Sequence, residues 1–182
     1  MKITILDGNS AEADRGFDTY ISDLIVELQS RGHGIEHSRL SQLKLHLCTG
    51  CWSCWIKTPG RCSLKDDGPR VLESYLSADL VLFATPLSLG FVSGVMKKAI
   101  DKLIPLFLPQ IILYQGECVH APRYERYPAL GCLLHRGEYD EEDVTITREY
   151  LRRYAFHFQT DLALDATTDT PMEEVCHAVD RL

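Results

Sequence analysis

The feature that most constrains the fold is the apolar run ADLVLFA at residues 78–84. Such a run is typical of a strand that is covered on both faces, as the strands of a parallel sheet are. We expect the strand to end at Thr85 and Pro86, which follow it directly. Parallel strands need long crossover connections, usually helices, so helices should alternate with strands along the chain.

The sequence pattern shows this alternation. Further short strands are predicted over residues 3–6, 35–40, 129–134 and 161–164. Helices are predicted over residues 17–28, 95–104, 140–158 and 171–182, with Ser93 as the N-cap of the second. These elements predict one domain of the α/β class over residues 1–182. The simplest arrangement is a flavodoxin-like three-layer sandwich with a five-stranded parallel sheet.

Two segments fit neither the helical nor the strand period. Residues 46–67 form an irregular, cysteine-rich loop. Residues 105–128 carry several prolines and aromatic residues and are predicted to be a long connection, which in a compact domain usually has a function. His120 and Arg123 in this connection are candidates for contact with a substrate or a nicotinamide phosphate.

Charge and hydropathy exclude several classes of protein. With 19 basic and 26 acidic residues, the net charge of −7 opposes binding to nucleic acid or to an anionic membrane. The longest apolar stretch, residues 103–114, is shorter than the roughly 20 residues of a membrane span, and the N-terminus lacks the apolar region of a secretory signal. We therefore expect a cytoplasmic protein with no membrane partner. Seven cysteines, an odd number, argue against a disulfide framework in that compartment.

Ligands of such sheets bind beyond the carboxyl ends of the strands, which draws attention to two loops. In residues 8–17, Asn9 and Ser10 precede a helix whose free amides could hold an anion. Glu12 and Asp14 would repel a phosphate there, and Arg15 could compensate. An ordinary capped turn between a strand and a helix is the alternative interpretation.

The second loop, residues 85–94, offers apolar surface for a flat ring. Proline fixes the direction of the chain, and Gly90 allows close approach of the backbone. The candidate contacts are Thr85, Pro86, Leu87, Ser88, Leu89, Gly90 and Phe91. The alternative is a turn whose apolar residues simply join the core.

Four cysteines have the spacing C-x2-C-x2-C-x7-C, namely Cys48, Cys51, Cys54 and Cys62. Three of them follow one another at three-residue steps, and the fourth returns after a turn, so the four sulfurs should surround one small volume. The pattern suits an iron–sulfur cluster, free or redox-active thiols, or, less well, zinc. Trp52 and Trp55 could shield a cluster, stack near a flavin, dock on a second subunit or anchor the loop.

The segments CTGCWSCWIKTPGRCSLKDD and TPLSLGFVSGVMKKAIDKL resemble the flavodoxin-like NADPH-dependent FMN reductase superfamily, within its iron–sulfur flavoprotein branch. The resemblance extends from Met1 to about Phe158. It implies noncovalent FMN, with phosphate at Asn9 and Ser10 and the ring against residues 85–91. It also implies a 4Fe-4S cluster on the four cysteines and a homodimer or homotetramer, in which the cluster of one subunit passes electrons to flavin at a subunit boundary.

We therefore expect an FMN-binding redox protein, an oxidoreductase or electron carrier that passes electrons from a reduced donor such as NAD(P)H to a small-molecule or protein acceptor. The flavin performs the chemistry, so no side chain is predicted to be catalytic. Iron on the cysteines would favour an electron carrier. Without iron, a nicotinamide-dependent FMN or quinone reductase is favoured, and a thiol- or metal-binding protein that has lost flavin is the other alternative.

Overall fold

A five-stranded parallel sheet forms the centre of the computed structural model, which describes residues 1–10 and 14–182. The strands in chain order are β1 (Lys2–Asp7), β2 (Gly34–Arg39), β3 (Leu80–Ser88), β4 (Phe91–Val92), β5 (Phe107–Tyr114), β6 (Glu117–Pro122), β7 (Ala129–His135) and β8 (Leu162–Thr167). The central strands have the order β2-β1-β3-β7-β8, and each adjacent pair in this order is parallel, whereas the two-residue β4 pairs antiparallel with the end of β3. This order confirms the predicted flavodoxin-like fold class.

Helices cover both faces of the sheet because alternate strand residues point to opposite sides. They are α1 (Arg15–Ser30), α2 (Ser53–Ile56), α3 (Gly68–Leu76), α4 (Gly94–Asp101), α5 (Glu141–His157) and α6 (Met172–Asp180). On one face, Ile5 and Leu82 are buried with residues of α1 and α6. On the other face, Val81 and Phe83 are buried with residues of α3, α4 and α5. Among the described residues, no helix combines the length and the apolar character needed to cross a membrane.

The predicted end of β3 at Thr85 and Pro86 is wrong, because the strand continues to Ser88. Thr85 and Pro86 pair with Leu134 and His135 of β7. On the other side of β3, the pairing with β1 ends at Ala84. Beyond that point β3 has a free edge toward β1, where a proline can be accommodated without loss of a ladder hydrogen bond.

The connection over residues 105–128 is not structureless, since it contains β5 and β6 as a separate antiparallel pair. Gln115 and Gly116 both have positive φ at the turn, as a tight hairpin requires. Prolines argued against strands at the sequence level. Pro109 is tolerated because the register of the pair shifts between Phe107 and Ile111.

Other element boundaries differ from the pattern by a few residues, and two helices were not predicted. Helix α4 ends at Asp101 rather than at residue 104, and a separate 3₁₀ turn over Ile104–Leu106 accommodates Pro105 in its first positions. The last strand, β8, extends to Thr167. The helices not predicted are α2, a single turn inside the cysteine-rich loop, and α3, whose Val71, Leu72 and Tyr75 are buried at helical spacing.

Candidate functional site

A crevice lies at the carboxyl ends of β1, β3 and β7 and has a volume of about 630 Å³. Helices leave β1 and β3 toward opposite sides of the sheet at this point, which is where open α/β sheets bind ligands. The volume falls in the usual range of small-molecule pockets. Predicted residues that line it are Asn9, Ser10, Pro86, Leu87 and Ser88, joined by Asp14, Ser93, Gly94, Val95 and residues 135–139.

The floor of the crevice is held by hydrogen bonds between the two predicted loops. Ser93 is the N-cap of α4, as predicted, and its Oγ donates to the carbonyl oxygen of Gly8 at 2.6 Å. Thr85 is fully buried, and its Oγ1 accepts a hydrogen bond from the Ser93 amide at 3.2 Å. Thr85 therefore supports the crevice from below rather than facing a ligand from its wall.

The residues predicted to contact a ring after Ser88 lie around a tight turn at the rim. Leu89 is 94% exposed and, like Gly90, has positive φ. The Leu89 amide donates to the hydroxyl of Tyr139 at 2.8 Å, and Phe91 packs on Tyr150 with ring centroids 4.8 Å apart. Tyr139, which sequence reasoning missed, thus joins the turn to the crevice wall. The apolar side chain of Leu89 remains available to a ligand or a partner.

Asp14 occupies the anion-binding position of α1. Its Oδ1 accepts hydrogen bonds from the amides of Gly16 and Phe17 at 2.9 and 3.1 Å, and its Oδ2 lies 2.7 Å from Nε2 of His135. The helix amides that a phosphate could use are therefore already bound to a carboxylate. The expected repulsion by Glu12 concerns residues 11–13, which lie outside the described residues.

Asn9 is buried and holds the loop together from within. Its amide side chain donates to the Asp14 carbonyl oxygen at 3.1 Å and to Asp18 Oδ1 at 2.7 Å. Burial alone would raise the pKa of Asp18, but hydrogen bonds from Arg39 and Asn9 hold that pKa below its usual value. Asp18 is therefore a second anion close to the crevice, held beside Asn9.

The crevice combines an apolar wall with charged groups. Pro86, Leu87 and Val95 offer apolar surface that could support a flat ring. Arg136 also lines the crevice, and its guanidinium is shared with Glu141 and Asp169 at 2.8 and 3.2 Å. A phosphate bound near Asn9 and Ser10 would meet the Asp14 carboxylate.

The four motif cysteines line one cavity of about 160 Å³ on the α4 side of the sheet. Its walls are largely apolar and include Trp52, Trp55, Ile104, Pro105 and His120. Residues 48–62 thus place the four cysteine side chains on the wall of one cavity. Within residues 1–10 and 14–182, no three His, Cys, Asp or Glu side chains are arranged to hold a single metal ion.

Two features fix the conformation of the cysteine-rich loop, residues 46–67. Gly50 and Trp52 have positive φ and reverse the chain before the single turn of α2. At the base of the loop, Asp66 accepts hydrogen bonds from the amides of His46 and Gly68, both at 2.9 Å. The two ends of the loop are therefore fixed to each other by one buried carboxylate.

Trp52 and Trp55 lie in different environments, so each takes a different one of the roles that the sequence left open. The Trp55 indole donates to the carbonyl oxygen of Phe107 at 2.9 Å and packs on His120 with ring centroids 4.8 Å apart. Trp55 thus anchors the loop to the hairpin of β5 and β6. Trp52 is 55% exposed and covers the cavity from the solvent side.

The motif thiols have different environments. Hydrogen bonds from the side chain and the amide of Ser53 lower the pKa of the exposed Cys51 to about 6. Burial, followed by the proximity of Cys62 and Cys48, raises the pKa of Cys54. Such a set suits thiolate chemistry or the binding of a soft metal group. The other cysteines, Cys118, Cys132 and Cys176, are free, and the last two are buried.

Helix α4 connects the two regions. Its first turn contributes Gly94 and Val95 to the crevice, and its C-terminal end contributes Asp101 and Lys102 to the cysteine cavity. At 1.5 Å per residue, the eight-residue step from Gly94 to Lys102 corresponds to about 12 Å along the axis. One short helix therefore separates the crevice from the four cysteines.

Comparisons with known proteins agree with this architecture. An iron-sulfur flavoprotein of Archaeoglobus fulgidus is 31% identical over 102 residues, which is 56% of this chain and 48% of that protein. An iron-sulfur flavoprotein of Methanocaldococcus jannaschii is 33% identical over 75 residues, 41% of this chain and 37% of that protein. The matched part thus spans half or less of the length of these relatives.

A solved structure supports the fold, and a family comparison supports the predicted resemblance. An FMN-dependent NADH-azoreductase from Bacillus anthracis in complex with FMN superposes with a TM-score of 0.65 at 14% identity, covering 99% of this chain and 98% of that one. The sequence model of the NADPH-dependent FMN reductase family matches residues 1–114, which contain the crevice loops and the cysteine motif. The chain therefore belongs to the NADPH-dependent FMN reductase family.

Proposed function

We propose that this chain is an FMN-dependent redox protein in which Cys48, Cys51, Cys54 and Cys62 hold a 4Fe-4S cluster. The observation that carries the proposal is the placement of the four cysteines around one apolar cavity at one end of α4, with the flavin-sized crevice at the other end. Flavin, when bound, would exchange two electrons with a donor such as NAD(P)H, and a cluster would exchange them singly.

The residues of this chain would position the two groups rather than react with them. Pro86 and Leu87 would support the ring, and the backbone around Asn9 and Ser10 would bind the phosphate. Trp52 and Trp55 would cover part of the cavity, whereas Cys48 and Cys51 would stay open to solvent.

The names of the relatives support the cluster, and those of the solved structures support the flavin. Both aligned relatives are named as iron-sulfur flavoproteins, and the azoreductase structure was solved in complex with FMN. The acceptor is proposed only by class, as a small molecule or a redox protein. A homodimer or homotetramer is proposed as the working form.

The direct test is anaerobic purification followed by a visible spectrum with flavin, iron, zinc and sulfide analysis. We expect flavin bands over a broad iron–sulfur absorbance. Cys51→Ser should lower iron and sulfide strongly, whereas Cys118→Ser, which removes another exposed cysteine outside the motif, should leave them unchanged. Equal iron and sulfide in the two variants would contradict the assignment of the motif cysteines.

One observation favours a second candidate, a thiol- or metal-binding protein that has lost flavin. Asp14 already binds the amides at the start of α1, so an FMN phosphate meets a carboxylate there. Addition of the apoprotein to FMN separates the two candidates. Quenching of flavin fluorescence at micromolar protein is expected for the proposed function, and its absence would favour the second candidate.

A further inference from the structure

A buried lysine points at the cysteine cavity. The Lys102 side chain is only 1% exposed, its Nζ lies 2.7 Å from Asp66 Oδ2, and it donates a hydrogen bond to Cys62 Sγ at 3.2 Å. Asp66 and Lys102 are 36 positions apart and lie in different segments of the chain, so the sequence gives no sign that they meet. The contact exists only because the end of α4 packs against the base of the cysteine loop.

Asp66 fixes the position of the ammonium. The carboxylate is fully buried and also accepts from the amides of His46 and Gly68. A Cβ on Gly68 would lie 2.9 Å from Asp66 Oδ1 and 3.3 Å from Lys102 Cε, so the packing around the pair is tight. Because the pair has little room to rearrange, the charge of Lys102 stays beside Cys62.

An ion pair that only stabilised the fold would need Lys102 and Asp66 alone, without the hydrogen bond from Lys102 to Cys62. A lysine ammonium has three N–H donors, and here two of them have partners, one a carboxylate and one a sulfur. A neutral thiol is a weak acceptor, whereas a sulfur that carries negative charge is a strong one. The hydrogen bond from Lys102 to Cys62 is therefore strongest when the sulfur carries negative charge, as it does when it binds metal.

We propose that Lys102 raises the reduction potential of a cluster on the four cysteines by donating a hydrogen bond to the Cys62 sulfur. This inference rests on the proposed function. The reduced cluster carries one more negative charge than the oxidised cluster, so a fixed neighbouring cation stabilises the reduced form more. Lys102 acts through the Cys62 sulfur and is thus a positioning residue.

The test is a redox titration of the anaerobically purified protein with dithionite, followed by electron paramagnetic resonance. Each cluster accepts one electron from dithionite during the titration, and no bond within the protein forms or breaks. Lys102→Met should shift the reduction equilibrium at least tenfold toward the oxidised form, which for one electron is about 59 mV. Lys2→Met removes a charge at the start of β1, where Nζ pairs with Glu36 at 3.0 Å, and should leave the potential unchanged. Equal potentials for wild type and Lys102→Met would overturn the proposal.

Three further experiments guard against a folding defect. Lys102→Met leaves Asp66 buried and unpaired, so the double variant Lys102→Met/Asp66→Asn removes both charges. Its potential should still be lower than that of the wild type, because the hydrogen bond to Cys62 is lost, but the shift should be smaller than in the single variant, because the Asp66 anion is removed as well. Lys102→Arg retains the cation and should restore most of the wild-type potential. In the unmodified protein, lysine labelled with ¹⁵N at Nζ should give a nitrogen coupling in pulsed resonance of the reduced cluster, since only Lys102 among the lysines lines the cavity that is described. Absence of that coupling would overturn the proposal without any substitution.

A failure of the proposed function and a failure of the role of Lys102 give different results. If the wild-type protein contains no iron and sulfide, the proposed cluster is wrong and the role of Lys102 falls with it. If iron and sulfide are present but the potential does not depend on Lys102, only the present inference is wrong.

Discussion

The crevice and the base of the cysteine-rich loop each have a carboxylate that accepts hydrogen bonds from two backbone amides, but the two carboxylates differ in exposure. Asp14 binds the amides of Gly16 and Phe17 and lies beside His135, with 38% of its side chain exposed. Asp66 binds the amides of His46 and Gly68 and pairs with Lys102, with its side chain fully buried.

Because their exposure differs, Asp14 and Asp66 respond differently to a competing anion and to the loss of a partner. Water screens Asp14 and can replace its partners, so a ligand anion can compete with it at modest cost. Asp66 has no contact with water, so loss of its cation would leave an isolated buried charge. The end of the crevice at Asp14 is therefore adaptable, because its hydrogen bonds can be replaced, whereas the contacts of Asp66 at the base of the cysteine-rich loop are fixed.

The largest effect should come from breaking the buried pair. Lys102→Met should reduce the free energy of unfolding by about 3–5 kcal/mol, since one partner of a buried ion pair is lost. The double variant Lys102→Met/Asp66→Asn should recover most of that loss, because no charge is left unpaired. Denaturant unfolding of the three proteins measures this, and a loss below 1 kcal/mol in the single variant would show that Asp66 is not isolated.

A smaller loss is expected from the packed floor of the crevice. A Cβ at Gly8 would lie 2.9 Å from the Met96 Cβ and 3.0 Å from the hydroxyls of Ser93 and Thr85. Gly8→Ala should therefore destabilise the protein by about 1–3 kcal/mol, as overpacking does. Gly34→Ala is the matched control, since a Cβ there meets nothing within 4 Å. If both variants unfold at the same denaturant concentration, the floor is looser than its contacts indicate.

The adaptable end of the crevice can be tested with FMN and riboflavin. Asp14→Asn retains a helix cap but removes the negative charge, so FMN should bind about fivefold more tightly, which corresponds to roughly 1 kcal/mol of removed repulsion. Riboflavin lacks the phosphate, so its affinity should not change. Asp23→Asn, an exposed position elsewhere on α1, serves as the control in the same fluorescence titration. Equal gains for FMN and riboflavin would mean that Asp14 acts on the shape of the crevice and not on the phosphate.

The smallest effect should appear in the acid range of stability. The pKa of Asp18 is lowered in the folded protein, so its contribution is complete above the unfolded value of about 3.9 and is lost as the pH falls through the lower folded value. Asp18→Asn should therefore make the decline of unfolding free energy below pH 4 less steep. Because the pair with Arg39 is partly exposed, we expect a difference of about 0.2–1 kcal/mol. Parallel slopes for the two proteins would show that the pair adds nothing to stability.

The fold followed closely from the sequence because its signals are local. The buried run before Thr85 and the amphipathic stripe from Phe17 each reflect a face that must be covered, and together they predicted the order of the sheet. The hairpin of β5 and β6 escaped prediction because its prolines are acceptable only in an isolated pair of strands with a register shift. Whether a proline removes a hydrogen bond depends on the neighbouring strand, which the local pattern does not contain.

The candidate site divides in the same way. The spacing from Cys48 to Cys62 is short enough for one loop to bring the four cysteines to one cavity, and the small residues after β1 marked the crevice. The sequence by itself therefore determined the sheet, the family resemblance and the cysteine set, because each depends on neighbouring residues. Only the tertiary structure decided that Asp14 caps α1 beside His135 and that Lys102 reaches Asp66 and Cys62. Those contacts join segments far apart in the chain, and their energies depend on burial, which arises only when the elements pack.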